Sequence, residues 1–327
     1  METYDLFLSM GSACRPARHL LNNNLRKFAS PLDWQMQYSL DTVIQLFKTS
    51  FFSFFCNISE DAERSGTGKY RCVIDETNNI TSIHHFSKNM SLEDCQQEFI
   101  TKMHRRYVIL HNTLKTSNTL MLVCNRKDDI KELENFLVNF SELYKNLNIT
   151  LMNIRDDCSM NNTDKYTKKY NFSDKLTIVE HIFNDSINGK TGEKYSWIGN
   201  EVLWNSILRN YCLPDIKNAF ERLKGKSIVI YGAGRMCSAL INELSKYDIK
   251  ANGIAVTCVE ENPSEYENIP VTTIENFSYE DVILIAINDH HISLAIKKSL
   301  LSKGYNKVVE FDFTYGIIPN ITDIKKI

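Results

Sequence analysis

The sequence predicts an α/β protein with two domains: an N-terminal domain with a largely parallel sheet and a smaller, Rossmann-like, doubly wound C-terminal domain. Short apolar runs alternate along the chain with amphipathic segments of helical period, as in βαβ units. The runs 119–124 and 149–154 are separated by enough residues for a crossover helix, which indicates parallel strands. A glycine turn after the run 227–231 is typical of a dinucleotide-binding fold. The chain of 327 residues can form two cores, and we place the domains at 1–213 and 214–327.

Each predicted element follows from its hydrophobic period. In the N-terminal domain, the predicted strands are 6–8, 70–74, 80–86, 119–124, 149–154 and 176–183. The predicted helices there are 39–48, 92–114, 127–147 and 197–209, and the polar segment 156–174 is predicted to be an exposed loop. In the C-terminal domain, the predicted strands are 227–231, 250–256, 269–271, 282–287 and 307–311, with helices after the glycine turn and at 292–303.

The segment 5–24 predicts a strand, a tight turn and a helix, with Ser12 as the N-cap and Cys14 in the first helical turn. The positive end of the helix dipole, together with Arg15 and Arg18, would stabilise a thiolate at Cys14. Free backbone N–H groups of the same turn could hold a developing oxyanion. These features suit a cysteine nucleophile, but a buried and inert cysteine is the common alternative.

The segment 4–34, YDLFLSMGSACRPARHLLNNNLRKFASPLDW, resembles the opening of a bacterial family described as "putative papain-like cysteine peptidases", whose function is unknown. Members of that family begin with a strand, a Gly-x-x-Cys turn and a helix, followed by a Pro-Phe-Asp-Trp segment. This chain has Gly11 and Cys14 in the turn, and Leu32 stands where phenylalanine is usual in the later segment. Further similarity lies in the stretches IHHFSKN (83–89), HRRYVIL (104–110) and WIGNEVLW (197–204). The resemblance covers roughly the first two thirds of the chain.

The resemblance implies an enzyme in which Cys14 attacks a carbonyl carbon, His84 transfers the proton and Asp33 orients the imidazole. Because His85 stands where aspartate is common in the family, the choice between the two histidines stays open. Side chains of adjacent strand residues point to opposite faces, so only one of these histidines is expected to face Cys14. Asp33 has the alternative role of a turn or N-cap residue.

The C-terminal glycine turn carries half of a dinucleotide fingerprint. Gly232 permits the tight turn, and Gly234 lets the backbone approach a phosphate at the start of a helix. Cys237 replaces the third glycine, and no acidic residue ends the second strand, which leaves ribose capture in doubt. The turn resembles Rossmann-type modules of bacterial glycan-modifying enzymes, which implies a nucleotide or nucleotide sugar at Gly232, Gly234 and Arg235. The alternative is a fold that binds no ligand or serves as an interface.

Composition excludes several classes of protein. The net charge of −2 and the absence of a basic stripe argue against nucleic-acid binding. Nine cysteines without a CxxC pair argue against a disulfide framework and against a cysteine zinc site, so no metal is expected. The acidic N-terminus carries no signal pattern, and no apolar stretch has the length of a membrane span. A cytoplasmic location is therefore expected.

Two classes of function compete. The first is a cysteine hydrolase or acyltransferase, with a small-molecule or glycan substrate, in bacterial surface polysaccharide biosynthesis. A strand that leads directly into the nucleophile turn favours acyl chemistry over peptide cleavage. The second is a non-catalytic nucleotide-binding or nucleotide-sugar-binding protein, and a nicotinamide oxidoreductase is a weaker third.

Three further residues each have two possible roles. Arg106 either binds an anionic substrate or pairs with an acidic neighbour, while Trp197 and Trp204 are either core residues or a saccharide shelf. The cofactor and the oligomeric state are not predicted.

Overall fold

The computed structural model describes residues 1–11, 13–186, 197–314 and 316–327. The chain divides into two compact units, Met1–Tyr211 and Cys212–Ile327. Both units combine helices with sheets that contain parallel strands, which confirms the α/β prediction. None of the helices in the described part of the chain is long and apolar enough to cross a membrane.

The elements of the N-terminal unit follow one another in short strands and amphipathic helices. The strands are β1 (Glu2–Thr3), β2 (Leu6–Ser9), β3 (Gln35–Met36), β4 (Ile58–Asp61), β5 (Tyr70–Asp75), β6 (Ile80–Ser87), β7 (Thr119–Cys124), β8 (Asn148–Asp156), β9 (Lys165–Asn171), β10 (Leu176–Phe183) and β11 (Tyr211–Cys212). The helices are α1 (Arg15–Asn22), α2 (Leu40–Lys48), α3 (Ala62–Ser65), α4 (Leu92–Thr116), α5 (Ile130–Leu143) and α6 (Glu201–Leu208).

The central sheet of this unit has the strand order β2-β7-β8-β10-β9. The strands β2, β7, β8 and β10 are parallel, which confirms the prediction of a crossover between β7 and β8. The edge strand β9 is antiparallel to β10 and lies within the segment that was expected to be a loop, so that expectation is wrong. Its side chains are almost all exposed, and such a lysine-rich edge strand lacks the hydrophobic alternation by which strands are recognised.

Polar residues before the first turn determine where the long helices begin. The Ser91 side chain accepts the N–H of Asp94 and caps α4. Asp129 and Glu132 form a reciprocal capping box that starts α5. Both helices bury one face in a core that includes the alternating residues Leu120 and Leu122 of β7. This core holds the carboxyl ends of β2 and β7 side by side.

A second, antiparallel sheet has the order β3-β6-β5-β4 and contains a large irregularity. The pairs that flank it are Arg71 with Phe86 and Val73 with Ser82. Between these pairs, the three residues 83–85 of β6 face the single residue Cys72 of β5. A bulge of this kind breaks the alternation of side chains and redirects them. Both candidate histidines lie in the bulge.

The C-terminal unit is built on one mixed sheet. Its strands are β12 (Ile228–Tyr231), β13 (Gly253–Val256), β14 (Glu265–Tyr266), β15 (Ile269–Thr273), β16 (Val282–Ile285), β17 (Val308–Asp312) and β18 (Ile318–Pro319). Its helices are α7 (Pro214–Glu221), α8 (Arg235–Ser245), α9 (His290–Ser302) and α10 (Ile321–Ile324). The parallel strands lie in the order β15-β13-β12-β16-β17, which is the 3-2-1-4-5 order of a doubly wound sheet. Short antiparallel strands, β14 and β18, extend its two edges.

Candidate active site

A cavity of about 820 Å³ opens in the N-terminal unit where β2 and β7 end. Cys14 follows β2, Asn125 follows β7, and His84 lies in the bulge of β6. The lining residues are Ala13, Cys14, Arg15, Trp34, Met36, Ile83, His84, His85, Lys102, Arg106, Asn125 and Trp197. The cavity therefore brings together Cys14 and His84, which lie 70 residues apart in the sequence. Ligands of α/β proteins commonly bind at the carboxyl ends of parallel strands.

Cys14 is the N-cap residue of α1, since the helix begins at Arg15, two residues later than an N-cap at Ser12 would place it. The predicted N-cap, Ser12, lies outside the described residues. The Cys14 side chain is almost fully buried, and burial, assisted by the negative charge of Asp33, raises its pKa to about 11. Burial thus disfavours the thiolate, so the expectation of a stabilised thiolate is wrong. With this pKa, the thiol is protonated at neutral pH.

The charge of Arg15, which was expected to favour the thiolate, is balanced by a buried carboxylate. Nη1 of Arg15 lies 2.5 Å from Oδ2 of Asp185, and its Nε donates to the Trp197 carbonyl at 2.9 Å. The other carboxylate oxygen, Oδ1, accepts the indole N–H of Trp204 at 2.9 Å. We call this group, Arg15 with Asp185, Trp197 and Trp204, the Arg15 clamp. It fastens the start of α1 to the segment before and within α6.

Two further contacts hold the same segment against α1. The imidazole of His19 stacks on Trp204 with ring centroids 4.4 Å apart, and its Nε2 lies 2.8 Å from the Ile198 carbonyl. Gly199 has φ of +73°, and a Cβ there would lie 2.3 Å from Oδ1 of Asp185. The two tryptophans were predicted to be either core residues or a saccharide shelf. Trp204 is a core residue, whereas Trp197 is exposed and lines the cavity.

Both histidines of the bulge line the cavity. Adjacent residues of a regular strand point to opposite faces, and the bulge removes that alternation here. Which of the two histidines faces Cys14 stays a prediction. Nδ1 of His85 lies 3.0 Å from the Ser82 hydroxyl, and burial, reinforced by the charges of Arg106 and Lys102, lowers the pKa of His85 to about 3. Desolvation also lowers the pKa of His84, whose ring meets the Trp34 ring edge-on at 6.2 Å. Both imidazoles are neutral at pH 7.

Asp33 is buried beside the cavity and stabilises a turn. Its Oδ2 lies 2.8 Å from Nη2 of Arg26 and accepts the backbone N–H of Ser30 at 2.8 Å. Burial raises the pKa of Asp33 more than Arg26 lowers it. Trp34, which follows Asp33, has φ of +68°, and its ring contacts the His84 ring edge-on. The guanidinium of Arg26 lies 6.0 Å from the centre of the Trp34 ring. The role of Asp33 as the residue that orients His84 stays a prediction.

Asn125, Lys102 and Met36 are among the lining residues that were not singled out from the sequence as site residues. Asn125 follows β7, and its Oδ1 is buried without a hydrogen-bond partner in the described part of the chain. Lys102 lies one helical turn before Arg106 on α4, and Met36 lies on β3. Only the first of these had a local signal, because polar residues directly after a buried parallel strand often face a site. The described residues contain no group of three or more His, Cys, Asp or Glu side chains that could hold a metal ion.

The glycine turn of the C-terminal unit has the strand–turn–helix context that was predicted. Gly232 has φ of +110° and donates its N–H to the Ala255 carbonyl at 2.8 Å, while Gly234 caps α8. Arg235 is the first residue of that helix and is exposed. The Tyr266 hydroxyl lies over the turn, 3.4 Å from the Gly234 carbonyl. Binding of a nucleotide at Gly232, Gly234 and Arg235 stays a prediction.

The N-terminal unit is thus an α/β domain with a cysteine and a histidine in one cavity. Residues 5–165 match the model of a protein family described as "putative papain-like cysteine peptidase", a description that denotes a cysteine hydrolase. The match includes Cys14, Asp33 and His84 but ends before Asp185. No curated protein and no solved structure matches the chain. The C-terminal module, the glycan context and the cytoplasmic location stay predictions.

Proposed function

We propose that the protein is a cysteine-dependent acyl-transfer enzyme that acts as a hydrolase or an acyltransferase on a carbonyl compound in the cavity. The observation that carries this proposal is the placement of Cys14 and His84 on one cavity of about 820 Å³ at the carboxyl ends of β2 and β7. The family description of residues 5–165 supports the hydrolase form of this proposal. The neutral state of His84 suits it to the role of a general base.

In the proposed reaction, the Cys14 sulfur bonds to the carbonyl carbon while the thiol proton moves to His84. The carbonyl π electrons form an oxyanion, which can accept hydrogen bonds from N–H groups at the start of α1 and from the Asn125 amide. When the oxyanion collapses, the leaving group departs with the proton from His84, and a thioester remains on Cys14. Water or an acceptor hydroxyl then attacks the thioester, gives its proton to His84, and releases the thiolate, which His84 reprotonates.

The test is acetyl transfer from p-nitrophenyl acetate, followed by release of nitrophenolate and by peptide mapping of the acetylated cysteine. We expect the acetyl group on Cys14, with no transfer there in Cys14→Ser and a rate about a hundredfold lower in His84→Ala, because general-base catalysis is worth at least that much. His85→Ala is the matched control and should retain most of the rate, since burial and neighbouring cations keep the His85 imidazole a poor base. Equal acetylation of Cys14 and the exposed Cys56 would contradict the proposal.

A second proposal concerns the C-terminal unit: the turn at Gly232 and Gly234 binds a nucleotide or nucleotide sugar. It is supported by the positive φ of Gly232 and by the position of Gly234 at the start of α8. Calorimetric titration with UDP tests it. Arg235→Gln should weaken binding about tenfold, as expected for a lost charge-assisted contact. Arg222→Gln, an exposed arginine on the same unit, is the control, and failure of UDP and ADP to bind the wild-type protein would refute the proposal.

A further inference from the structure

The charge of the cavity is one-sided. Three basic side chains line it, Arg15, Lys102 and Arg106, whereas no aspartate or glutamate among the described residues does so. The Arg15 charge is balanced by Asp185. The other two cations, Lys102 and Arg106, lie on α4, where Lys102 is exposed and Arg106 is half-buried. Positive charge that lines a cleft attracts anions.

Lys102 and Arg106 are four residues apart on α4 and so lie on the same face of the helix, where like charges repel. Arg106 contacts the Ser30 carbonyl at 3.5 Å, and its charge acts on the nearby Asp33 carboxylate. Lys102 has no carboxylate within ion-pair distance in the described part of the chain. Burial and the neighbouring charges of Arg106 and Arg105 lower the pKa of Lys102. A bound anion would relieve this repulsion.

The rest of the lining is apolar and aromatic. Trp34, Met36, Ile83 and Trp197 line the same cavity as the two cations. We infer that the substrate is an acyl compound with an apolar body and an oxyanion group, a carboxylate or a phosphate, which Lys102 binds together with Arg106. The body would lie against Trp34 and Trp197. This inference rests on the proposed acyl-transfer function, because it names the class of substrate for that site.

Fluorescence quenching tests the anion site without any reaction at Cys14. The chain has three tryptophans, of which Trp34 and Trp197 line the cavity and Trp204 is fully buried. Quenching by iodide, an anion, should fall about threefold in Lys102→Met, because removal of one nearby charge lowers the local anion concentration. Quenching by neutral acrylamide should stay unchanged. The control is Lys115→Met, the same change about 20 Å further along α4. Equal iodide quenching in the two variants would overturn the inference.

Alkylation of Cys14 separates the substrate class from the proposed function. The measured quantity is the ratio of the alkylation rate with iodoacetate to that with iodoacetamide. We expect this ratio to be higher at Cys14 than at a small free thiol, and Lys102→Met to reduce it about fivefold. Reaction of Cys14 with both reagents in the ratio of a free thiol would refute the anion site but leave the acyl-transfer proposal standing. If Cys14 is not acetylated but iodide quenching still depends on Lys102, the acyl-transfer proposal is refuted and the anion site stands.

Protection experiments distinguish the two sources of the oxyanion. Benzoate, inorganic phosphate and neutral benzamide are each added before iodoacetamide, and Cys14 alkylation is followed by peptide mapping. If benzoate protects Cys14 better than benzamide does, the substrate carries a carboxylate. If phosphate protects Cys14 better than benzamide does, the substrate carries a phosphate ester. Protection in either case should disappear in Lys102→Met and persist in Lys115→Met. If neither anion protects Cys14 better than benzamide does, the inference is wrong.

Discussion

Each unit of the protein contains a strand, a glycine turn and a helix, with a cysteine three residues after a glycine: Gly11 and Cys14 in one unit, Gly234 and Cys237 in the other. The two cysteines differ in what surrounds them. Cys14 caps its helix and lines a cavity, with 8% of its surface exposed. Cys237 lies inside α8 and is fully buried, which raises its pKa to about 12.

The difference arises from distant parts of the chain. At the first turn, the bulge of β6 and the polar face of α4 leave room above the cysteine. At the second turn, the Tyr266 hydroxyl donates to the Gly234 carbonyl and lies 2.7 Å from the Ser238 hydroxyl. A Cβ at Gly232 would lie 3.0 Å from Cδ1 of Ile287. The comparison teaches that a strand–glycine–helix turn provides a frame for a site, while tertiary packing decides whether a reactive group is accessible there.

The largest expected effect is a difference in alkylation rate between the two cysteines in the native protein. Cys14 should react with iodoacetamide about a thousandfold faster than Cys237, because a fully buried thiol reacts only after local unfolding that costs several kcal/mol. Quantitative peptide mapping over time measures both rates in one sample. Comparable rates at the two positions would break the comparison and indicate that the first turn is closed as well.

The pH dependence of Cys14 alkylation should show the next effect. Burial favours the neutral thiol, so the alkylation rate should keep rising with pH until about pH 11. An ordinary cysteine would level off near its unperturbed pKa, ~8.5, so at pH 8 Cys14 should have roughly a hundredfold less thiolate than a free thiol. A rate that levels off at or below pH 8 would mean that the helix dipole and nearby cations outweigh burial.

The smallest effect concerns stability, in a pair of matched glycine substitutions. A Cβ at Gly11 would lie 2.5 Å from Cγ of Pro16 and 2.8 Å from Oδ1 of Asn125, whereas a Cβ at Gly234 meets no atom within 4 Å. Gly11→Ala should therefore lower the free energy of unfolding by about 2 kcal/mol, as overpacking does, and Gly234→Ala should change it by less than about 0.5 kcal/mol. Urea unfolding of both variants measures this, and equal costs would contradict the packing of the first turn.

Local patterns in the sequence predicted what depends on local structure. The strand before Cys14, the parallel pair β7 and β8, and the strand–turn–helix context of Gly232 each follow from short-range periodicity and turn chemistry. The high pKa of Cys14 could not be predicted in this way, because burial depends on which distant elements cover the turn. The same holds for Lys102 and Asn125, which reach the cavity only through the packing of α4 and β7.

Two other differences have their origin in assumptions about strands. The bulge at His84 and His85 was missed because regular alternation was assumed along β6, and a bulge leaves no strong mark in one sequence. The edge strand β9 was missed because its residues are mostly polar and exposed, so backbone pairing with β10 leaves little hydrophobic pattern in the sequence. Neither feature changes the fold class, but the bulge determines which side chains meet at the cavity.

The Arg15 clamp has a consequence for the protein during its synthesis. Arg15 and Asp185 are separated by 170 residues, and Trp204 follows later still. While the nascent chain leaves the ribosome, Arg15 is therefore synthesised long before the carboxylate that balances its charge. The start of α1 can be fastened in its final position only after the segment up to Trp204 has been made.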